Sequence, residues 1–306
     1  MRTTTAVDGA PAATAAEGGG PYRPGIRRRL AGNGGVLLGG VLLLAVALMA
    51  LLAPWLWTGD PVLINPVARN DPPAAANWMG TDALGRDLYS RVVYGARVSL
   101  VLGLAVALFS VLVGLVIGLV SGYVRWLDAI VMRVMDGLMS IPAILLAITL
   151  VAISGSSLFT VVVAITVPEI PRVVRLVRGV VLSIREEPYV EAAIAVGTPP
   201  PAVIARHILP NTIAPLIVQG TYVCASAIIT ESILSFLGAG IPPEIPTWGN
   251  TMAEGRIFFQ IAPWVIFFPG VFLAVTVLAI NLLGDGLRDT LDPRLGERTG
   301  AAGTEA

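Results

Sequence analysis

Six long apolar runs separated by short polar segments set the pattern of this chain. Val36–Trp57 carries no charge, and at about 1.5 Å per residue it reaches about 33 Å, enough to cross the hydrocarbon of a bilayer. Val98–Val120 is a second charge-free run, rich in the Gly, Ala and Ser that let neighbouring helices approach closely. Leu138–Ile153 is shorter and is expected to extend backwards through Val131 and Arg133 as one helix. Leu158–Val181 is broken by Pro168 and Pro171 and carries Glu169, Arg172, Arg175 and Arg178, so it reads as a kinked span. Ile213–Leu237 and Pro263–Leu283 complete the set. The pattern predicts an all-α polytopic membrane protein with six transmembrane helices.

Between the first two runs a Pro- and Asn-rich stretch leads into Met79–Leu100. There Asp87 and Arg91 stand four apart while Leu88, Val92 and Val93 form an apolar stripe, which predicts an amphipathic helix at the membrane surface. A solvated helix with one surface ion pair fits the same pattern. The implied division is a disordered tail over 1–35, a first span over 36–57, a linker and interfacial helix over 58–97, a helical core over 98–290 and a second tail over 291–306. The first apolar run is too long for a cleaved leader, so it reads as a retained span. No repeat suggests the inverted halves of a secondary transporter.

Composition agrees with the pattern and removes one chemistry. The chain is 55% hydrophobic and 13% charged, with a mean hydropathy of +0.80. All 20 basic residues are Arg, so a phosphate-binding loop that needs its Lys cannot exist here. With the N-terminus inside, 15 Arg fall in cytoplasmic segments and five outside, which orients both termini to the cytoplasm. Cys224 lies in an apolar run and reads as a small buried residue. Asp136 and Asp285 are expected to pair with Arg133 and Arg288.

The segment from Tyr189 to Asn211 lies between the fourth and fifth runs. Its Ala-rich start favours helix, Gly197 is a natural stop, and Thr198 with Pro199 can open a second short helix. Its spacing is Glu191-Ala192-Ala193, three residues, Gly197, nine residues, His207, then Ile208-Leu209-Pro210. That spacing resembles the cytoplasmic loop by which the permease subunit of a bacterial ABC importer grips its ATPase. Three further segments narrow the resemblance: GTDALGRDLYSRVVYGARVSL from Gly80 to Leu100, ESILSFLGAGIPPEIPTWGNTM from Glu231 to Met252, and GDGLRDTLDPRL from Gly284 to Leu295. Together the four look like the C-type permease of the dipeptide, oligopeptide and nickel importers. His207 stands where the general pattern has an aliphatic residue, and Pro199-Pro200-Pro201 is an unusually rigid opening.

The resemblance implies a type I ABC importer permease fold in the bacterial inner membrane. It implies a heterodimer with a paralogous permease, two cytoplasmic ATPases that use ATP and Mg, and an extracytoplasmic binding protein, with no nucleic acid. It also implies short peptides as cargo, with nickel complexes or glutathione as alternatives. The coupling loop, 185–211, would use Tyr189, Glu191, Ala192, Ala193, Gly197, Arg206, His207, Leu209 and Pro210. A lone His makes a poor metal site, so no metal and no bound cofactor are expected.

Glu231 is an ionisable residue at membrane depth, and with Cys224, Ala227, Ser235 and Gly238 it shares one helical stripe. That stripe reads either as lining of the substrate path or as a helix-packing seam. A remote alternative is an intramembrane hydrolase using His207 with Ser154, Ser156 or Ser157, although these should lie on opposite sides of the membrane.

Overall fold

The computed structural model describes residues 30–291, so the expected tails up to Arg29 and beyond Leu291 lie outside the described residues. Within them the elements are helices and turns, with one isolated pairing of Thr81 and Asp87. α1 (Gly34–Leu51) is capped by Asn33, whose side chain accepts from Gly35 N–H at 2.9 Å. It ends before the apolar run does, because Pro54 has no N–H to continue the ladder and the chain turns through Ala53–Trp55.

The surface helix and second span expected after the linker form one 36-residue helix, α2 (Leu88–Tyr123). Asp87 is its N-cap, accepting from Ser90 N–H at 2.8 Å, and so is not the partner of Arg91. The Leu88, Val92 and Val93 stripe is fully buried in protein, which corrects the reading of a helix lying on the bilayer.

A second correction concerns the third run. α3 (Arg125–Met139) and α4 (Ala143–Ser154) are separate helices bent by 86°, because Pro142 interrupts the ladder and disfavours helix in the residue before it. Asp136 consequently meets Arg175 at 2.6 Å rather than Arg133, and Asp128 pairs with Arg178 at 2.5 Å, fastening α3 to the next helix.

α5 (Leu158–Arg185) runs unbroken through both prolines. It packs along α2 through a seam of Gly114, Gly118 and Gly122, where an added Cβ would lie 2.5, 2.6 and 2.8 Å from Val173, Val177 and Val181. Two rows at four-residue spacing therefore interlock, and only glycine permits the approach.

α6 (Pro188–Ala195) is followed by α7 (Pro200–Phe236), which widens to a π turn at Ile204–Ile208. α8 (Trp248–Gly255) is capped by Thr247, and α9 (Trp264–Leu291) closes the described chain. Asp285 of α9 accepts from the Tyr222 hydroxyl, in place of the expected Arg288 pairing.

The helices alternate in direction, so the bundle has a loop end, with α3 and α6, and a linker end, with residues 52–87 and α8. α1, α2, α7 and α9 are long and apolar enough to cross a membrane, and the α3–α4 pair can serve as a broken fifth crossing. α5 joins the two ends but is more polar, carrying Glu169 and four mid-helix or later arginines; this arrangement is compatible with six crossings.

Candidate functional site

At the loop end, Val190, Val203 and Ile208 are fully buried and fuse α6 to the start of α7. Gly197 terminates α6 at φ +84, with its N–H donating to Ile194 O at 2.9 Å and Thr198 N–H to Ala193 O at 3.1 Å. This double bond pattern satisfies the helix-end carbonyls, and the left-handed backbone it needs costs glycine least. Thr198 is thus part of the stop, and Pro199 takes the capping position with Pro200 first in the next helix, one residue later than the sequence suggests. The rings of Tyr189 and His207 meet at 6.0 Å, while Asn211 Nδ2 donates to His207 O at 2.7 Å across the π turn.

The outer surface of this body carries large apolar side chains. Tyr189 is 48% exposed, Ile194 43% and Val196 82%, flanked by Ala192 and the prolines. Glu191 is exposed too and lines a 320 Å³ cleft with Arg125, Asp128, Arg185 and Glu186. Arg206 is exposed, Leu209 half-buried and Pro210 exposed, so the expected loop residues form one body.

The linker end carries a different arrangement. Asp82 Oδ2 accepts from Arg86 Nε at 2.6 Å, and Arg86 Nη2 reaches Glu254 of α8. Arg91, wholly buried, lies 3.3 Å from Glu254 and 3.6 Å from Asp82. Burial pushes the Glu254 carboxyl above its ordinary value, while Arg91 and Arg86 pull it back down. Two carboxylates and two guanidiniums thus tie the start of α2 to α8, and Trp248 Nε1 adds a bond to Val92 O at 3.0 Å. Sequence reasoning missed this cluster, since Glu254 stands 163 positions from Arg91.

Ala227 and Glu231 are wholly buried and Ser235 nearly so, so their stripe packs within the chain in this structure; of the set only Gly238 is exposed. Glu231 Oε1 accepts from Ser235 Oγ at 2.8 Å and Thr247 Oγ1 at 3.0 Å, bonding α7 to the cap of α8. Cys224 is buried as expected. The hydrolase residues do not meet: Ser156 Oγ donates to Gly240 O and Ser157 Oγ caps α5, both at the linker end, whereas His207 is at the loop end.

Residues 110–297 match the family described as binding-protein-dependent transport system inner membrane component, more than half of the chain. The chain belongs to that family. Residues 25–73 of this permease also match the N-terminal transmembrane domain of oligopeptide transport permease C. A probable peptide ABC transporter permease of Sinorhizobium fredii is 58% identical over 85% of this chain and 89% of its own. The glutathione transport system permease protein of Pectobacterium atrosepticum is 42% identical over 90% of this chain and 92% of its own. Among solved structures, the MetNI methionine ABC transporter in inward-facing form shares the fold, with a TM-score of 0.54 and 21% identity over 67% of this chain and 98% of that one. The permease is therefore an inner-membrane, multi-pass subunit of an ABC transporter, which works with an ATPase and a binding protein.

Proposed function

We propose that this permease imports short peptides. It pairs with a paralogous permease, and two cytoplasmic ATPases that bind ATP and Mg dock on the α6–α7 body. The observation that carries this reading is the body itself: internally packed through Val190, Val203 and Ile208, yet exposing Tyr189, Ile194 and Val196. Large apolar side chains left outward on a rigid projection suit a partner groove. Glu191 makes a charged contact there, Ala192 and Ala193 allow close packing, and Gly197 fixes the bend. Closure of the ATPase pair on ATP then moves two such bodies together and rocks the attached helices. The loop end and both termini face the cytoplasm, in keeping with the arginine distribution. Peptide cargo is supported by relatives named for peptides and for glutathione, itself a tripeptide.

The test is purification of the tagged chain from its native membrane in mild detergent, with mass spectrometry of what accompanies it. A second permease and P-loop ATPases are expected. Glu191→Lys should leave the chain in the membrane but strip the ATPases from it; a mutant complex that stays assembled and still imports would refute the loop's role.

A further inference from the structure

Arg172 stands halfway along the 28-residue α5, the depth at which an ionised side chain is most costly in lipid. Its side chain is nonetheless 52% exposed. Nη1 is held by Glu169, 3.1 Å from Oε1 and 3.3 Å from Oε2, and Glu169 is itself almost wholly buried. Ser226 of α7 approaches the same carboxylate at 3.4 Å, so the pair sits on the line where α5 meets α7. Among the described residues nothing else bonds to Arg172, leaving Nε–H and Nη2–H as an unengaged two-donor fork on a half-exposed side chain.

The neighbouring surface is polar as well. On α7, Gln219, Tyr222, Ser226 and Thr230 recur at three- and four-residue steps and all are half-exposed. They lie on nearly the opposite side of the helix, about 150° around from the buried Cys224–Glu231–Ser235 seam. A half-exposed arginine and a hydroxyl- and amide-bearing stripe at mid-depth do not suit lipid.

We propose that Arg172, oriented by Glu169, lines the aqueous path through the membrane and receives the carboxylate of the passing peptide, on a face completed by Gln219, Tyr222, Ser226 and Thr230. This rests on the peptide-permease reading above. Glu169 holds one corner of the guanidinium, cancels its charge when the path is empty and turns the open fork outward. A carboxylate accepts both remaining N–H bonds in the bidentate geometry that favours arginine over lysine. The weak, shared grip suits a path, where cargo must enter and also leave.

The experiment uses the whole complex in lipid nanodiscs, with Cys224→Ser removing this chain's one thiol and labelling read on this chain's own band. In that background Arg172→Cys is expected to react with a membrane-impermeant sulfonated thiosulfonate, whereas Leu44→Cys, on the exposed apolar face of α1, reacts only with uncharged maleimide. In proteoliposomes containing the binding protein, Arg172→Gln should lower peptide uptake by about tenfold or more, and Arg172→Lys, keeping charge but losing the fork, by less. Arg172→Cys that reacts only with the maleimide, or with neither reagent, would overturn the proposal by placing the residue in lipid or in a subunit interface. Wild-type uptake by Arg172→Gln would overturn it equally. If the wild-type chain purifies with no ATPase and no second permease, the assembly proposed above fails, and this inference with it.

Discussion

The two ends of the bundle hold charge in opposite ways. At the linker end Asp82, Arg86, Arg91 and Glu254 neutralise one another inside the protein, and Trp248 is packed out of solvent beside them. At the loop end Glu186, Glu187, Glu191 and Arg206 are exposed and take part in no ion pair among the described residues, next to exposed Tyr189, Ile194 and Val196. The first end is completed within the chain. The second has its own small core but presents apolar and charged groups outward, and on the docking proposed above its exposed Tyr189, Ile194 and Val196 are the part a partner would cover. Substitutions at the linker end should therefore register as stability, and substitutions at the loop end as assembly.

The largest effect is expected from Arg91→Met. It leaves Asp82 and Glu254 with Arg86 alone, and removing one member of a buried ion pair costs about 3–5 kcal/mol. Purified in detergent, this variant should melt well below wild type and give a poor yield. A melting point equal to wild type would show that the cluster does not hold α2 to α8. Glu231→Ala follows at about 1–3 kcal/mol, since Ser235 and Thr247 lose a buried acceptor. Its thermal shift should be clearly measurable but smaller than that of Arg91→Met. The reverse order would move the anchor of α8 from the ionic cluster to the α7 seam.

The same contrast separates what the sequence shows from what it hides. The loop is a local object: a helix stop, a proline and a fixed spacing within about 20 residues, and these are properties of neighbours along the chain. Its one misplacement, Thr198 for Pro199 as cap, is a shift of a single position. The long apolar runs are local too, and each is helical, although prolines within the chain end the first helix at Leu51 and break the third run at Pro142. The other misreadings occur where a side chain's partner is distant in sequence. Arg91 has a carboxylate four positions away that captures an N-terminal amide instead, while its true partner arrives on another helix. Asp136 and Asp285 likewise pass over nearby arginines for Arg175 and Tyr222. The Glu231 stripe was visible as a face, but period alone cannot say whether a face meets protein, lipid or water.

Val196→Ser should have the smallest effect on stability and so tests the comparison from its other side. Val196 is 82% exposed at the tip of α6 and makes no buried contact that the exchange would remove, so the melting point should stay within about 0.5 kcal/mol of wild type in free-energy terms. If the exposed crest is an ATPase footprint, the same exchange removes apolar area from the centre of that contact, and a tight interface residue is worth about 1–2 kcal/mol or more on truncation. The amount of ATPase retained through purification should then fall about tenfold while the permease itself is recovered in full. Equal retention of ATPase with an unchanged melting point would show that Val196 lies outside the footprint. A lowered melting point would show instead that the tip of α6 is part of the loop's own core, and the distinction between a completed end and an awaiting one would then have to be redrawn around Tyr189 and Ile194.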